Sequence, residues 1–269
     1  MRRRSFPLIS LCFASLGGPG MALAQPATEV DLELVLAVDV SRSMDYGEAV
    51  TQRRGYIEAF RHEEVLDVIR SGLLGRIAVT YVEWAGARSQ AVAMPWSLID
   101  GSAAAEDFAA GLSEAPPARF RGTSISGALA FAAPLFDDNG YDGLRRVIDV
   151  SGDGPNNAGP PVAPVRDAIV TTGIVINGLP LQIDAPVYMA VGGVLLADYY
   201  RDCVIGGPGA FVLPVTERDQ LLEAIRRKLV LEIAGLPATI QPAAVTAAAE
   251  GATDCMIGER LRRNMERTP

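Results

Sequence analysis

Three short segments of this chain carry side chains whose types and spacing suit the binding of a hard metal ion. Asp39, Ser41 and Ser43 alternate along the first segment, Thr123 stands in the second, and Asp153 stands in the third. A hard divalent cation such as Mg²⁺ takes about six oxygen ligands and usually keeps some of them as water. Two carboxylates and three hydroxyls would neutralise such an ion. The ion would still attract a carboxylate from elsewhere.

Each of these residues also has a simpler structural interpretation. Ser43 and Thr123 precede predicted helices, where a hydroxyl often serves as the N-cap. Asp153 lies between two glycines and could be a turn residue. For one residue alone the simpler interpretation is sufficient, so the metal-site hypothesis depends on all three segments meeting in the fold.

The order of predicted elements is that of an α/β protein with a doubly wound, mainly parallel sheet. Residues 32–40 form a nearly continuous apolar run, which is typical of a strand buried on both faces. Residues 76–84 and 90–98 predict an antiparallel edge hairpin, because the link between them is too short for a crossover helix. In such sheets, ligands bind beyond the carboxyl ends of the strands, which is where the three polar segments are expected.

Further elements are predicted from apolar periodicity and from turn residues. Strands are predicted over residues 146–150, 174–179 and 211–215. Helices are predicted over residues 46–70, 103–112, 124–136, 162–172, 188–204 and 217–233, and residues 258–267 are expected to be a short basic helix or a frayed end.

The N-terminal residues have the features of a secretory signal peptide, although a disordered basic terminus is the alternative. Three arginines at residues 2–4 precede an apolar run over residues 6–16, and Ala22-Leu23-Ala24 is a cleavage signal. Cys12 lacks the small preceding residue that a lipoprotein signal requires. We therefore expect residues 1–24 to be removed after Ala24, leaving a periplasmic or secreted protein.

Charge and cysteine content limit the partners and the compartment. Loss of the three arginines would change the net charge from −8 to −11, which disfavours nucleic acid and anionic lipid as partners. No later apolar run reaches the roughly 18 residues of a membrane span, so none is expected in the mature chain. Cys203 and Cys255 then remain, and in an oxidising compartment they predict one disulfide, the alternative being two buried thiols.

The Asp39-x-Ser41-x-Ser43 motif, followed by Thr123 and then Asp153, resembles the metal-ion-dependent adhesion site (MIDAS) of the von Willebrand factor type A (vWA) domain family. The resemblance implies that the three hydroxyls touch the metal and that the two carboxylates act directly or through water. It also implies that an acidic side chain of a partner protein completes the coordination. The implied ion is Mg²⁺, with Mn²⁺ or Ca²⁺ as alternatives.

The resemblance extends over residues 30–235 and agrees with the hairpin that follows the first helix. We therefore interpret residues 25–235 as a vWA-like domain and residues 236–269 as a tail that the disulfide tethers. The chain departs from the metazoan adhesion members in size and in the loop at residues 151–155, and it is more similar to exported bacterial members.

Catalysis is not expected, although a metal-dependent hydrolase is the enzymatic alternative. His62 is the only histidine, it is predicted to lie on a solvated helix face, and no G-x-S-x-G elbow is present. A phosphoaspartate phosphatase needs a second Asp where this chain has Ser41, and a lysine near the phosphate, whereas Lys228 is the only lysine. No P-loop or dinucleotide-binding fingerprint occurs.

A third alternative is a scaffold whose metal site stays empty. Arg42 and Arg121 flank the predicted ligands and could orient an acidic group, or could be exposed without a role. The sequence therefore favours a MIDAS-type protein-binding module and does not identify its partner.

Overall fold

A computed structural model of the chain describes residues 26–114, 116–183, 194–235 and 253–267. The predicted signal peptide and residues 236–252 of the predicted tail lie outside the described residues, as do residues 184–193. Within the described ranges, no helix has both the length and the apolar character needed to cross a bilayer.

A five-stranded sheet organises the fold. Its strands are β2 (Leu32–Asp39), β3 (Ile77–Trp84), β4 (Gln90–Ile99), β6 (Arg146–Gly152) and β7 (Val175–Pro180). They lie in the order β4-β3-β2-β6-β7, and only the β3–β4 pair is antiparallel. The predicted mainly parallel sheet with one antiparallel edge hairpin is therefore confirmed.

A second, two-stranded parallel sheet was not predicted. It pairs β1 (Thr28–Val30) with β5 (Tyr141–Gly143). Strands this short contain too few residues to show an alternating pattern. The buried Glu33 connects the two sheets, because its carboxylate accepts hydrogen bonds from the Gly143 backbone and the Asn139 side chain.

Helices cover both faces of the main sheet. Along β2, Leu34 and Leu36 point into one buried cluster while Val35 and Ala37 point into the other, as alternation along a strand requires. The first cluster contains residues of α1 (Tyr46–Arg61), α2 (Glu63–Arg70), α3 (Ser102–Ser113) and α7 (Leu221–Ala234). The second contains residues of α4 (Ile125–Ala132), α5 (Val162–Val170), α6 (Leu196–Tyr199) and α8 (Ile257–Arg267).

The prediction of one helix over residues 46–70 is wrong, because His62 divides it into α1 and α2. His62 has an extended backbone conformation, and its Nδ1 accepts a hydrogen bond of 3.2 Å from the Glu64 backbone N–H. His62 is exposed, as predicted, but it caps α2 and does not lie within a helix.

The predicted strand over residues 211–215 is also wrong, because this segment forms no continuous ladder. Val212 and Val215 make isolated parallel bridges with Gly178 and Leu181 of the neighbouring segment. Pro214 lies between them and has no N–H to donate to a ladder.

Two predicted helices begin or end in another helical form. α4 continues as a 3-10 turn over Ala133–Phe136, and α7 is preceded by one over Arg218–Gln220. Of the predicted helix over residues 188–204, the described part contains α6 and then a π-helical turn, Tyr200–Val204.

Candidate metal centre

The central strand β2 ends on Asp39 at the carboxyl edge of the sheet. The Asp39 side chain is fully buried, and its Oδ1 accepts a hydrogen bond of 2.7 Å from the Ser41 backbone N–H. Its Oδ2 has no hydrogen-bond partner among the described residues. Burial, and then the negative charge of Asp153, raise the pKa of the Asp39 carboxyl well above its ordinary value. A buried carboxylate oxygen of this kind is costly unless a cation or a proton compensates its charge.

Two serine hydroxyls connect this strand end to Asp153. The Oγ atoms of Ser41 and Ser43 lie 2.8 Å apart, and Ser43 Oγ donates a hydrogen bond of 2.8 Å to Asp153 Oδ1. Burial, and then the charge of Glu48, raise the pKa of Asp153 to about 6, although the Ser43 hydrogen bond acts in the opposite direction. The site therefore holds two carboxyl groups whose negative charge is poorly compensated by the protein.

Other residues cap the helices that Ser43 and Thr123 precede. Asp45 caps α1, since its side chain accepts a hydrogen bond of 2.7 Å from the Glu48 backbone N–H and the Glu48 side chain accepts one from Asp45. Ser124 caps α4 by accepting a hydrogen bond of 3.1 Å from Gly127. The N-cap interpretation of Ser43 and Thr123 is therefore wrong.

Backbone hydrogen bonds join the Thr123 segment to the loops that follow Asp39 and Asp153. The Thr123 N–H donates to Asn157 Oδ1 at 3.0 Å, and its carbonyl accepts from the Asn157 N–H at 2.8 Å. Upstream, Phe120 exchanges backbone hydrogen bonds with Val40 and Arg42, which flank the Asp39 loop. In the part of the chain that the structure describes, no hydrogen bond joins the Thr123 side chain to the other four predicted ligands. Hydrogen bonds connect those four, namely Asp39, Ser41, Ser43 and Asp153.

The donor set fits a hard divalent ion. The unpartnered Asp39 Oδ2 is a buried oxygen that a cation would satisfy, and the hydroxyls of Ser41 and Ser43 supply neutral oxygen beside it. Among the described residues, no group of three or more His, Cys, Asp or Glu side chains could hold a metal. A metal centre at this edge would therefore depend on hydroxyl oxygens as well as on carboxylates.

Three residues beneath Asp39 were not identified from the sequence as parts of the site. A Cβ at Gly152 would lie 2.9 Å from Asp39 Oδ2 and 2.9 Å from Tyr200 Oη, so the strand can approach this closely only with glycine. Trp84 pairs with Asp39 in the β2–β3 register. Burial, and then the charges of Asp39 and Asp153, raise the pKa of Tyr200 well above its ordinary value.

A signal for Trp84 was present in the sequence, and a signal for Tyr200 was not. Trp84 is the last residue of β3, and the carboxyl ends of parallel strands lie at the same edge of a sheet. Tyr200 reaches the site from a π-helical turn far along the chain, with no motif to mark it.

The C-terminal helix α8 packs on the loop that follows Asp153. The buried Asn156 accepts hydrogen bonds at Oδ1 from the backbone N–H and the hydroxyl of Ser126, at 3.0 and 3.1 Å. Its Nδ2 donates to Glu259 Oε1 at 2.7 Å and to the Pro160 carbonyl at 3.1 Å. A Cβ at Gly258 would lie 2.1 Å from the Asn156 carbonyl oxygen, so the two backbones are in close contact.

A disulfide joins Cys203 to Cys255, just before α8. The predicted pairing is present, and a disulfide indicates an oxidising compartment. It fixes the start of α8 beside the π-helical turn that carries Tyr200.

The architecture is similar to that of vWA domains of known structure. Proximal thread matrix protein 1 from the mussel byssus has a TM-score of 0.50 at 14% identity, covering 78% of this chain and 49% of that chain. The von Willebrand factor type A protein from Catenulispora acidiphila has a TM-score of 0.51 at 14% identity, with coverages of 76% and 43%. The pilus adhesin SpaC from Lactobacillus rhamnosus GG has a TM-score of 0.50 at 11% identity, with coverages of 77% and 32%.

This chain therefore has a vWA-like fold, and it spans half or less of the length of the proteins to which it is compared. Over residues 29–237 the sequence matches the family described as "Protein of unknown function (DUF1194)", and the chain belongs to that family. No curated protein matches the sequence.

Proposed function

We propose that this chain is an exported, vWA-like protein-binding module. In this proposal a divalent cation, Mg²⁺ in the first instance, recruits an acidic side chain of a partner protein. The cation is held by Asp39, Ser41, Ser43, Thr123 and Asp153.

The observation that carries the proposal is the buried Asp39 Oδ2, which has no partner among the described residues although the rest of the cluster is hydrogen bonded. A bound Mg²⁺ would supply the positive charge that the two carboxylates lack, and would attract a further oxygen ligand. Hydrogen bonds through Ser41 and Ser43 connect Asp39 to Asp153, and Asn157 accepts a hydrogen bond from the Thr123 backbone.

Export is proposed from two features that agree with each other. The disulfide between Cys203 and Cys255 requires an oxidising compartment to persist. The N-terminal residues carry the signal-peptide pattern, so residues 25–235 are proposed as the exported vWA-like domain and residues 236–269 as its tail.

A binding role is favoured over catalysis by the positions of the residues that hydrolases use. His62 lies at the junction of α1 and α2, where its Nε2 is 3.2 Å from Arg226. Lys228 is buried in the core against Asp149 and Glu232. Neither residue belongs to the hydrogen-bonded cluster at Asp39.

The proposal is tested by the thermal midpoint of the mature chain in EDTA and across a Mg²⁺ and Mn²⁺ titration. Binding to the folded state alone should add roughly 2.7 kcal/mol at a hundredfold excess over Kd. Asp39→Asn should abolish that gain and should not lower stability in EDTA, because it removes a buried negative charge. Asp142→Asn, an exposed change on β5, should behave as wild type. A wild-type midpoint that stays constant up to millimolar metal would contradict the proposal and favour the scaffold alternative.

An optical readout is available because Trp84 pairs with Asp39 across the strands. Tb³⁺, which prefers oxygen ligands, should show luminescence sensitised by this indole when it binds the site. Trp84→Phe should remove the sensitised emission, whereas Trp96→Phe should retain it. Excitation at the long-wavelength edge, which tryptophan absorbs and tyrosine does not, is needed because Tyr200 also lies at the site. Emission that survives Trp84→Phe under that excitation would place the bound ion elsewhere.

A further inference from the structure

A cleft of 630 Å³ lies between α8 and the loops that surround the proposed metal centre. One wall is formed by the β3–β4 turn, including Arg88, and by Arg121 and Gly122 of the segment before Thr123. The other wall is formed by α8, with Arg262 and Met265 among its lining residues.

The cleft adjoins the segment that carries Thr123 of the proposed metal centre. Gly122, on one wall, directly precedes Thr123 in the chain. Asn157 also lines the cleft, and it holds both the N–H and the carbonyl of Thr123. A partner segment bound at the metal would therefore have the cleft beside it on the Thr123 side.

The charge of the cleft is opposite to that of the chain. Three arginines are among its described lining residues and no acidic residue is, whereas the whole chain has a net charge of −8. Arg88 and Arg121 are exposed, and neither makes an ion pair with another described residue. Arg262 donates to the Asn157 carbonyl at 3.4 Å and pairs with Glu266 at 2.9 Å. Guanidinium groups in this arrangement favour a carboxylate-bearing ligand.

The cleft also has an apolar side. Leu261 and Met265 are one helical turn apart on α8 and line the cleft, and the Met265 side chain is 71% exposed. On the facing wall the loops that carry Gly86 and Arg121 are in close contact, because a Cβ at Gly86 would lie 2.5 Å from the Arg121 carbonyl oxygen. A peptide segment with acidic side chains would use both the arginines and the apolar residues, whereas a small inorganic anion would contact only the arginines.

We infer that this cleft binds an acidic peptide segment of the partner protein. One carboxylate of the segment occupies the proposed metal centre, and the next acidic side chain pairs with Arg88 and Arg121. The backbone of the segment lies against Leu261 and Met265. The inference rests on the proposed function and specifies the chemistry of the partner: a stretch with at least two acidic side chains.

The test uses a fluorescein-labelled oligoglutamate peptide as the probe, with fluorescence anisotropy recorded in Mg²⁺ and in EDTA. The proteins are the full mature chain, Asp39→Asn, the double variant Arg88→Gln/Arg121→Gln, and the control Arg263→Gln/Arg267→Gln. The control removes the same charge from exposed positions of α8 outside the cleft lining. Equal thermal midpoints of the two double variants in EDTA establish that both are folded.

The expected result is Mg²⁺-dependent binding that Asp39→Asn abolishes. The Arg88→Gln/Arg121→Gln variant should weaken it about five- to tenfold, with the control unchanged. If Mg²⁺-dependent binding were unchanged in Arg88→Gln/Arg121→Gln, the inference would be overturned, but the proposed metal function would still stand. Arginine-dependent binding that ignores Mg²⁺ would overturn the two-point arrangement and count against the metal centre itself. If the control variant weakened binding equally, the effect would be one of general charge. If the probe did not bind in Mg²⁺, an acidic segment would be excluded as the ligand. Either result would overturn the inference.

Discussion

The Ser43 hydroxyl donates a hydrogen bond of 2.8 Å to Asp153, although the two residues are 110 positions apart in the chain. They meet because β2 and β6 are neighbouring parallel strands, so the segments that follow them leave the sheet at the same edge. The contact between the first and third polar segments is therefore a consequence of strand order. Neither segment would form it alone.

Gly152→Ala should damage the site directly. The new Cβ would lie 2.9 Å from both Asp39 Oδ2 and Tyr200 Oη, so the end of β6 would have to move. We expect a loss of about 1–3 kcal/mol in unfolding free energy and a weaker Mg²⁺-dependent rise in thermal midpoint. Gly154→Ala is the matched control, since a Cβ there would meet no atom of the described residues within 4 Å. Equal effects of the two substitutions, measured by urea denaturation with and without Mg²⁺, would argue against close packing at Gly152.

Asn156→Asp should loosen α8 from the loop after β6. The native amide nitrogen donates hydrogen bonds to Glu259 at 2.7 Å and to the Pro160 carbonyl at 3.1 Å. The substitution replaces this nitrogen by a carboxylate oxygen, which repels both acceptors. We expect a loss of roughly 2–4 kcal/mol at neutral pH, measured by urea denaturation. Glu259→Gln added to Asn156→Asp should recover part of that loss, because the new amide can donate to the new carboxylate. A double-mutant cycle showing strict additivity would mean that the two side chains do not interact.

A buried ionic cluster between β6 and α7 makes stability depend on pH. Lys228 lies 2.6 Å from Asp149 and also pairs with Glu232, which in turn accepts a hydrogen bond of 3.1 Å from Asn177. Two carboxylates thus share one ammonium group inside the core. Burial, and then the charge of Asp149, raise the pKa of Glu232 from its ordinary 4.5 to about 7.

The raised pKa of Glu232 makes the folded state less stable as the pH rises. A carboxyl group whose pKa is higher in the folded state than in the unfolded state binds its proton more tightly in the folded state. The folding stability that this proton contributes is therefore lost as the pH rises from about 4.5 to about 7. Between about pH 5 and about pH 8, the wild type should lose roughly 2 kcal/mol more stability than Glu232→Gln. Glu223→Gln, at an exposed position of the same helix, is the control. Parallel pH profiles of wild type and Glu232→Gln in urea denaturation would contradict the assignment.

The sheet was predictable because its strands differ sharply from their surroundings. The apolar run of β2 is buried along its whole length, and the short link between β3 and β4 allows only a hairpin. The break at His62 was not predictable in the same way, because neither glycine nor proline marks it and apolar residues continue on both sides. The β1–β5 pair is held by contacts across the fold, which no local pattern reports.

The candidate site was predictable where it depends on local spacing. Ser41 and Ser43 are two residues apart, and their hydroxyls do meet. Asn157 and Tyr200 come to the same edge through tertiary packing, and neither belongs to a short motif. The cleft lined by Arg88, Arg121 and Arg262 depends on the position of α8. That position is set by a disulfide and by the buried Asn156, and the periodicity of the α8 sequence does not report it.

The disulfide has a further consequence for the integrity of the chain. Cys203 lies within the segment that matches the family, and Cys255 lies beyond residue 237, where that match ends. A protease that cut the chain anywhere within residues 236–252 would therefore leave two polypeptides still joined through sulfur. The nicked protein would keep α8, and with it Arg262 and Met265 of the cleft. It would separate into two bands on a gel only after reduction, so proteolytic processing at that place would change the covalent chain without removing the wall of the cleft.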